Sequence, residues 1–472
     1  MKRALTVLLS CLSLVGCVSQ QAGYGDLKQD VRTRTGKEVR WYHLDGTKAA
    51  EQRIRELVKQ PLDQEAAVQI ALLNNPRIQA EFERIGMARA DLVSAWKLPN
   101  PRLGADATFY GNESDPELKF DVTMSLTRLL TLPSRTDAAD AGLDRARLEV
   151  LGATLDLSYG VRRAVIQFQI ERSVLGLLRK QTGASNASYV AAKRLHEAGN
   201  LNDLELATEQ AAYEEARLAV AEAELGERGA KLELGRLLGF WQLGTDFQVR
   251  GQLPALPPPS AAERLSEPAA EKAALEASVE LSVGRARYAE ATGKSNAARL
   301  SGALPDVSAG VGVERQDDEW GVGPAVHLEI PLFDQGQGAL GRAESERRRA
   351  RADSSATAAD VRSAVRRVRA QLALARDLAR HYQDVVLPLR RKISAETLLA
   401  YNAMSVGVFE LMAARRAEFA AGVRAVRALG SYWMLHSELE QLLAGGLPTL
   451  SLSPRKSMGS APSDPAPSHS GH

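Results

Sequence analysis

The sequence predicts a mainly α-helical fold with a small antiparallel β part, and three patterns carry that expectation. Val361, Val365, Val368, Leu372, Ala375, Ala379, Tyr382, Val386, Leu389 and Ile393 step by four and three without a break. That is the 3.5-residue period of a coiled-coil seam. From Leu118 to Thr127 the period drops to two, with Leu118, Phe120, Val122, Met124 and Leu126 alternating with Lys119, Asp121, Thr123, Ser125 and Thr127. Such alternation over ten residues is a half-covered strand. The same order of elements then recurs about 200 residues later, an internal repeat of long period.

Composition narrows the classes. The chain has 472 residues, 60 Lys+Arg against 58 Asp+Glu, two cysteines and 5% aromatics. Balanced charge argues against a nucleic-acid binder. Two cysteines make neither a disulfide framework nor a four-thiolate zinc site. An Ala-, Leu-, Arg- and Glu-rich chain suits long helices packed by small residues.

At the N-terminus, Lys2 and Arg3 precede an apolar run from Ala4 to Leu14, then Leu14-Val15-Gly16-Cys17. This is a secretory signal, and its ending resembles the bacterial lipobox. The resemblance implies cleavage before Cys17 and lipid on that thiol, with Val18 fitting sorting to the outer membrane. Residues 18–60 show no clear period. Pro61-Leu62-Asp63 opens a helical pattern expected to run to about Lys97, where Leu98-Pro99-Asn100-Pro101 stops it.

Leu103, Ala105, Ala107 and Phe109 alternate ahead of the polar turn Gly111–Pro116, so the first hairpin is expected over 101–130. Val307 to Val313 and Val322 to Ile330 form the second, over 305–332. Each is followed by a very long helix, to about Glu197 and Ala400, with Pro388 the expected place for a kink. Return helices follow at Leu204–Leu238 and Phe409–Leu443. The expected organisation is a signal peptide (1–16), an anchored segment (17–60), a first unit (61–252), a Pro-rich linker (253–267), a second unit (268–446) and a disordered tail (447–472).

Ten alternating residues match a tilted strand crossing an outer membrane. Four strands cannot close a barrel, and open edges do not survive in lipid. The four strands are therefore expected to join a shared barrel, with three copies giving twelve strands. Taken with these elements in this order, Asn74-Asn75-Pro76-Arg77-Ile78, Leu98-Pro99-Asn100-Pro101-Arg102-Leu103 and Ile330-Pro331-Leu332-Phe333-Asp334-Gln335-Gly336 resemble the TolC-like outer-membrane efflux protein family. The resemblance covers roughly Pro61 to Gly445. It implies a homotrimer whose 12-stranded transmembrane β-barrel continues into a long coiled-coil α-helical barrel in the periplasm. It also implies a passive exit duct working with a periplasmic adaptor and an inner-membrane pump, carrying small molecules such as drugs, metals or proteins.

In that family the tunnel narrows at the helical tips. The resemblance places Gly199 as turn glycine, Asp203 and Glu205 as tip acids, and Tyr401 and Glu410 as gate tyrosine and aperture carboxylate. Met404 departs from the usual glycine, Val406 from an arginine and Ala413 from a second acid. Each acid also reads as a solvated helix-terminal residue. The Tyr401–Arg415 stretch resembles members associated with heavy-metal export.

Gly336-Gln337-Gly338-Ala339-Leu340-Gly341 has dinucleotide-loop spacing, but no βαβ unit follows. The seven histidines form no zinc spacing, and no catalytic motif occurs. No cofactor, metal or enzyme activity is expected. A non-conducting coiled-coil lipoprotein with a tethering role is the alternative, against which the paired hairpins argue.

Overall fold

The computed structural model describes residues 19, 21–109, 116–240, 247–316, 319–329, 332–333 and 335–448. Cys17 and nearly all of the 447–472 tail lie outside them, as does the Gly111–Asp115 part of the first hairpin turn.

The segment without a readable period is helical. It carries α1 (Tyr24–Thr35), α2 (Tyr42–Asp45) and α3 (Lys48–Val58). Its apolar stripe is thin: Tyr24, Leu27 and Val31 on α1, Ala50 and Ile54 on α3. On α1 tertiary packing, rather than amphipathic strength, holds the helix. Tyr24, Trp41 and Phe82 meet edge-on or tilted at 5.6–6.3 Å between ring centres. The Tyr24 hydroxyl donates to Asp45, which also accepts from Lys28 Nζ at 3.0 Å.

The single helix expected from Pro61 to Lys97 is two: α4 (Gln64–Asn74) and α5 (Pro76–Trp96). Pro76 forbids helical geometry at Asn75, which sits extended at ψ 120° and caps α5 by accepting from Arg77 N at 2.8 Å. The two asparagines also finish another helix. Asn74 Nδ2 donates to the carbonyls of Leu238 and Gly239, and Asn75 Nδ2 to that of Leu237.

Strands β1 (Arg102–Thr108), β2 (Glu117–Ser125), β3 (Asp306–Gln316) and β4 (Glu319–Glu329) form one antiparallel sheet in chain order. The two hairpins are thus joined edge to edge, β2 on β3. The β2 alternation was expected to run through Thr127; the strand stops at Ser125, which caps α6 (Leu126–Leu130). Thr127 turns inward and binds the start of β3, donating to Pro305 O and accepting from Val307 N.

Helix α7 (Leu132–Glu197) runs 66 residues, about 100 Å at 1.5 Å per residue. Its partner α8 (Asp203–Leu238) returns beside it. The Pro-rich stretch is not a free tether. It carries α9 (Ala261–Arg264) and runs into α10 (Glu267–Ala277) and α11 (Val279–Ala303). Arg376 pins it, gripping Glu263 through two nitrogens at 2.7 and 2.8 Å and Pro257 O at 2.7 Å. Burial would raise Glu263, but that guanidinium holds its carboxyl below the usual range.

The second long helix is α12 (Gln337–His381), a π-helical turn (Tyr382–Val386) and α13 (Leu387–Asn402), returning as α14 (Val408–Leu443). Pro388 lacks the N–H that Asp384 O would accept in an α-helix. The chain answers with a π-turn, in which Leu387 N donates to Tyr382 O, five residues back. Among the described residues no helix is long and apolar enough to cross a membrane.

Candidate functional site

The sheet is where sequence pattern and geometry coincide most closely. The register places Leu103 opposite Val122, Val122 opposite Val311 and Val311 opposite Pro324, so one face is apolar across all four strands. Leu103, Val122, Val311, Val322 and Val326 all stand exposed there. The other face carries Asp106, Lys119, Asp121, Glu314, Glu319 and His327. Lys119 Nζ lies 3.3 Å from Glu117 and 3.2 Å from Glu314, and His327 Nε2 lies 3.6 Å from Asp121. Glycines make the room: a Cβ on Gly104 would sit 2.1 Å from Asp121 Oδ1. Strands β1 and β4 each keep one unpaired edge among the described residues, the feature that invites another strand.

At the far end of the helices the two tips are copies of one backbone turn. Asn200 N donates to Leu195 O and Gly199 N to His196 O; 205 residues later Ser405 N donates to Ala400 O and Met404 N to Tyr401 O. Both are Schellman turns with a left-handed residue closing the helix. Gly199 takes φ 75° there, as its type allows, whereas Met404 takes φ 57° with its side chain 94% exposed.

Glu205 and Glu410 occupy the same third position of the returning helices. Glu205 completes a capping box with Asn202, accepting from Asn202 N at 3.3 Å while Asn202 Oδ1 accepts from Glu205 N at 2.8 Å. Glu410 folds back over Gly407, where a Cβ would meet its Oε2 at 2.7 Å. Asp203 opens α8 beside His196, 3.5 Å from Nε2. Tyr401 lies in the last turn of α13 and is exposed. Gly199, Asp203 and Glu205 therefore gather on one tip, Tyr401 and Glu410 on the other.

One contact between the hairpins was not legible in the sequence. Arg416 Nη1 on α14 donates to Glu209 Oε2 on α8 at 2.9 Å, with both side chains mostly covered. Burial would raise the Glu209 carboxyl, but the ion pair with Arg416 keeps it below the usual range. No periodic signal links residues 207 positions apart. Among the described residues no group of histidine, cysteine and acidic side chains could hold a metal.

Residues 67–240 match the family model described as outer membrane efflux protein. The cobalt-zinc-cadmium resistance protein CzcC of Cupriavidus metallidurans is 23% identical over 390 residues, which cover 81% of this chain and 90% of that one. A membrane protein from Pseudomonas aeruginosa superposes with a TM-score of 0.65 at 19% identity, covering 83% of this chain and 93% of its own. The channel protein CusC gives 0.63 at 17% identity over 84% and 92%. The outer membrane protein VceC of Vibrio cholerae gives 0.65 at 13% over 85% and 98%. The chain thus shares its fold with these structures along most of their length, and its first unit matches the outer membrane efflux protein family model.

Proposed function

We propose that the chain is the outer-membrane exit duct of a tripartite efflux system. It conducts passively, and energy comes from an inner-membrane pump through a periplasmic adaptor. The carrying observation is the open sheet, with an apolar face, a charged face and two unpaired edges. A lone four-stranded sheet of this kind satisfies its edges in lipid only by joining other copies into a closed barrel. Three copies supply twelve strands, and the long hairpins continue the wall into the periplasm. Cys17 carries the lipid anchor.

In this reading the exposed acids Asp203, Glu205 and Glu410 ring the periplasmic mouth with Tyr401, and Gly199 makes its turn. A repeated ring of carboxylates attracts cations. Metal cations are the cargo to test first, because CzcC, which aligns over most of both chains, bears a cobalt-zinc-cadmium resistance name.

Native mass of the protein extracted in mild detergent from outer membranes, followed by planar-bilayer conductance, tests the reading. A trimer that conducts supports it. A monomer, or a trimer that never conducts, leaves the tethering lipoprotein as the better account.

A further inference from the structure

The two repeats answer the same arginine differently. From the strands through α12 the second repeat trails the first by 204 residues: Val161, Phe168 and Leu175 on α7 match Val365, Leu372 and Ala379, all buried. Arg172 therefore matches Arg376. Along the returning helices the lag is 205, since α8 and α14 start at Asp203 and Val408. Glu227, Arg228 and Lys231 then match Tyr432, Trp433 and His436.

In the second repeat these four side chains hold the Pro-rich stretch. Arg376 forks onto both Glu263 oxygens, and Tyr432 Oη donates to Glu263 Oε1 at 3.0 Å. Trp433 Nε1 donates to Pro254 O at 3.0 Å, and His436 Nε2 lies 3.8 Å from Glu263. The chain fills that seat with its own carboxylate.

In the first repeat the seat is open. Helices α4 and α10 start 203 residues apart, at Gln64 and Glu267. By that offset the uncharged Gln60 stands where the second repeat has Glu263. What remains is a cleft of about 670 Å³ between α7, α8 and the segment 247–251. Arg172, Arg228, Lys231 and Arg250 line it, with Glu227 as the acid among the described lining residues. None of the four cations forms an ion pair among the described residues. Lys231 Nζ stands 5.6 Å from the Phe247 ring centre, and Phe247 and Phe168 give the cleft an apolar wall. Cations gathered without counter-charge repel one another, and an arginine fork pairs best with a planar carboxylate.

We propose that this cleft binds a small organic polycarboxylate. One carboxylate sits on the Arg172 fork, as Glu263 sits on Arg376, a second lies between Arg228 and Lys231, and the carbon body rests on Phe168 and Phe247. The site does not depend on the duct reading, because it lies within one chain.

Calorimetric titration of the full chain in detergent, with citrate as the probe, tests it. Saturable binding of one citrate per chain is the expected result. The affinity should fall roughly tenfold or more in Arg172→Gln and in Lys231→Gln. It should be unchanged in Arg217→Gln, which alters an exposed arginine of α8 outside the cleft. Melting temperatures close to the parent's show that the variants fold, and Lys231→Gln alone carries the test if Arg172→Gln melts early. No saturable binding, or equal binding in all three variants, overturns the site. Inorganic phosphate bound as tightly as citrate overturns the carboxylate chemistry. A zero-length carbodiimide link from Lys231 to an acid of another chain overturns the small-molecule occupant, since a protein side chain then fills the seat.

Discussion

Helices α8 and α14 have the same length, the same turn before them and an acid at the same third position, but they turn different faces to their surroundings. On α14 the positions facing α7 are Val423, Gly430 and Ser437, all buried. On α8 the equivalents are Leu218, Leu225 and Leu232, all exposed. A repeat that is symmetric in backbone is thus asymmetric in side-chain size. Small residues let two helices of one chain approach closely, and large ones stand where no helix of this chain covers them.

The most direct way to break this difference is to give α14 the residue that α8 has. In Gly430→Leu, even the Cβ would clash with Ile170, so Ile170 or the helix must shift. Overpacking of a close helix contact costs about 1–3 kcal/mol or more, and thermal melting should show it as the largest loss among these variants. Leu225→Gly, the reverse exchange, should cost about 1 kcal/mol of helix propensity and act mainly on trimer content. Equal losses of melting temperature in the two would show that the faces are not specialised.

Asp156 and Asp360 are the same residue in the two repeats, one beneath α14 and one exposed. Burial, followed by the Glu280 charge, pushes Asp156 up to about 6 against the pull of Arg163 and Gln441. The native state therefore holds this proton more tightly than the unfolded chain. Its contribution to stability is full below about pH 4, the ordinary carboxyl range, and is lost as pH rises through about 6. Asp156→Asn, which keeps an acceptor for Gln441, should raise stability at pH 7.5 by roughly 2 kcal/mol, an advantage that vanishes near pH 4. Asp360→Asn changes an exposed side chain and should alter the melting temperature little. An unchanged Asp156→Asn profile would sink the assignment.

Much of the architecture was legible because it rests on periodicity. Leu118 to Ser125 alternates, and the strand is there; Val361 to Ala379 keeps a 3.5 period, and the seam is buried. What escaped rests on sparse or pairwise contacts. Tyr24, Leu27 and Val31 are too few to announce a helix, yet all three are buried. The role of Asn74 and Asn75 in finishing α8 needs a partner 162–165 residues away. At the tips, the turn glycine and the acids were readable as residue types. That Glu205 spends an oxygen on a capping box was not, although the spacing Asn202-x-x-Glu205 signals one.

Arg416 and Glu209 test the comparison at the tips. The repeat equivalents of this ion pair are Ala211 and Ala414, so the internal duplication does not repeat this link between the hairpins. Arg416→Ala leaves a largely covered carboxylate without its partner, a loss of about 1–3 kcal/mol. Hydrogen exchange should speed up over 203–216 and 408–418 and stay unchanged in the sheet. Adding Glu209→Gln should recover part of the protection, because the stranded charge is then gone. If the double variant is no better than the single one, the carboxylate was not confined by this pair.

The smallest effect expected is at the tips themselves, where Gly199 and Met404 hold the same left-handed position. A side chain with a Cβ meets the following carbonyl in that conformation, at a cost of about 1 kcal/mol. Met404→Gly should therefore stabilise the second hairpin locally by up to that amount, less whatever backbone entropy glycine adds to the unfolded chain. Gly199→Ala should cost the first hairpin a similar amount. Because Met404 touches little else, being 94% exposed, stability and assembly can be separated in this variant. Slower exchange near 400–407 with unchanged trimer content would mean that the methionine adds only strain to the fold. Lost conductance in an otherwise more stable trimer would show instead that the exposed thioether acts at the mouth of the duct, a role that the first tip, with its glycine, does not share.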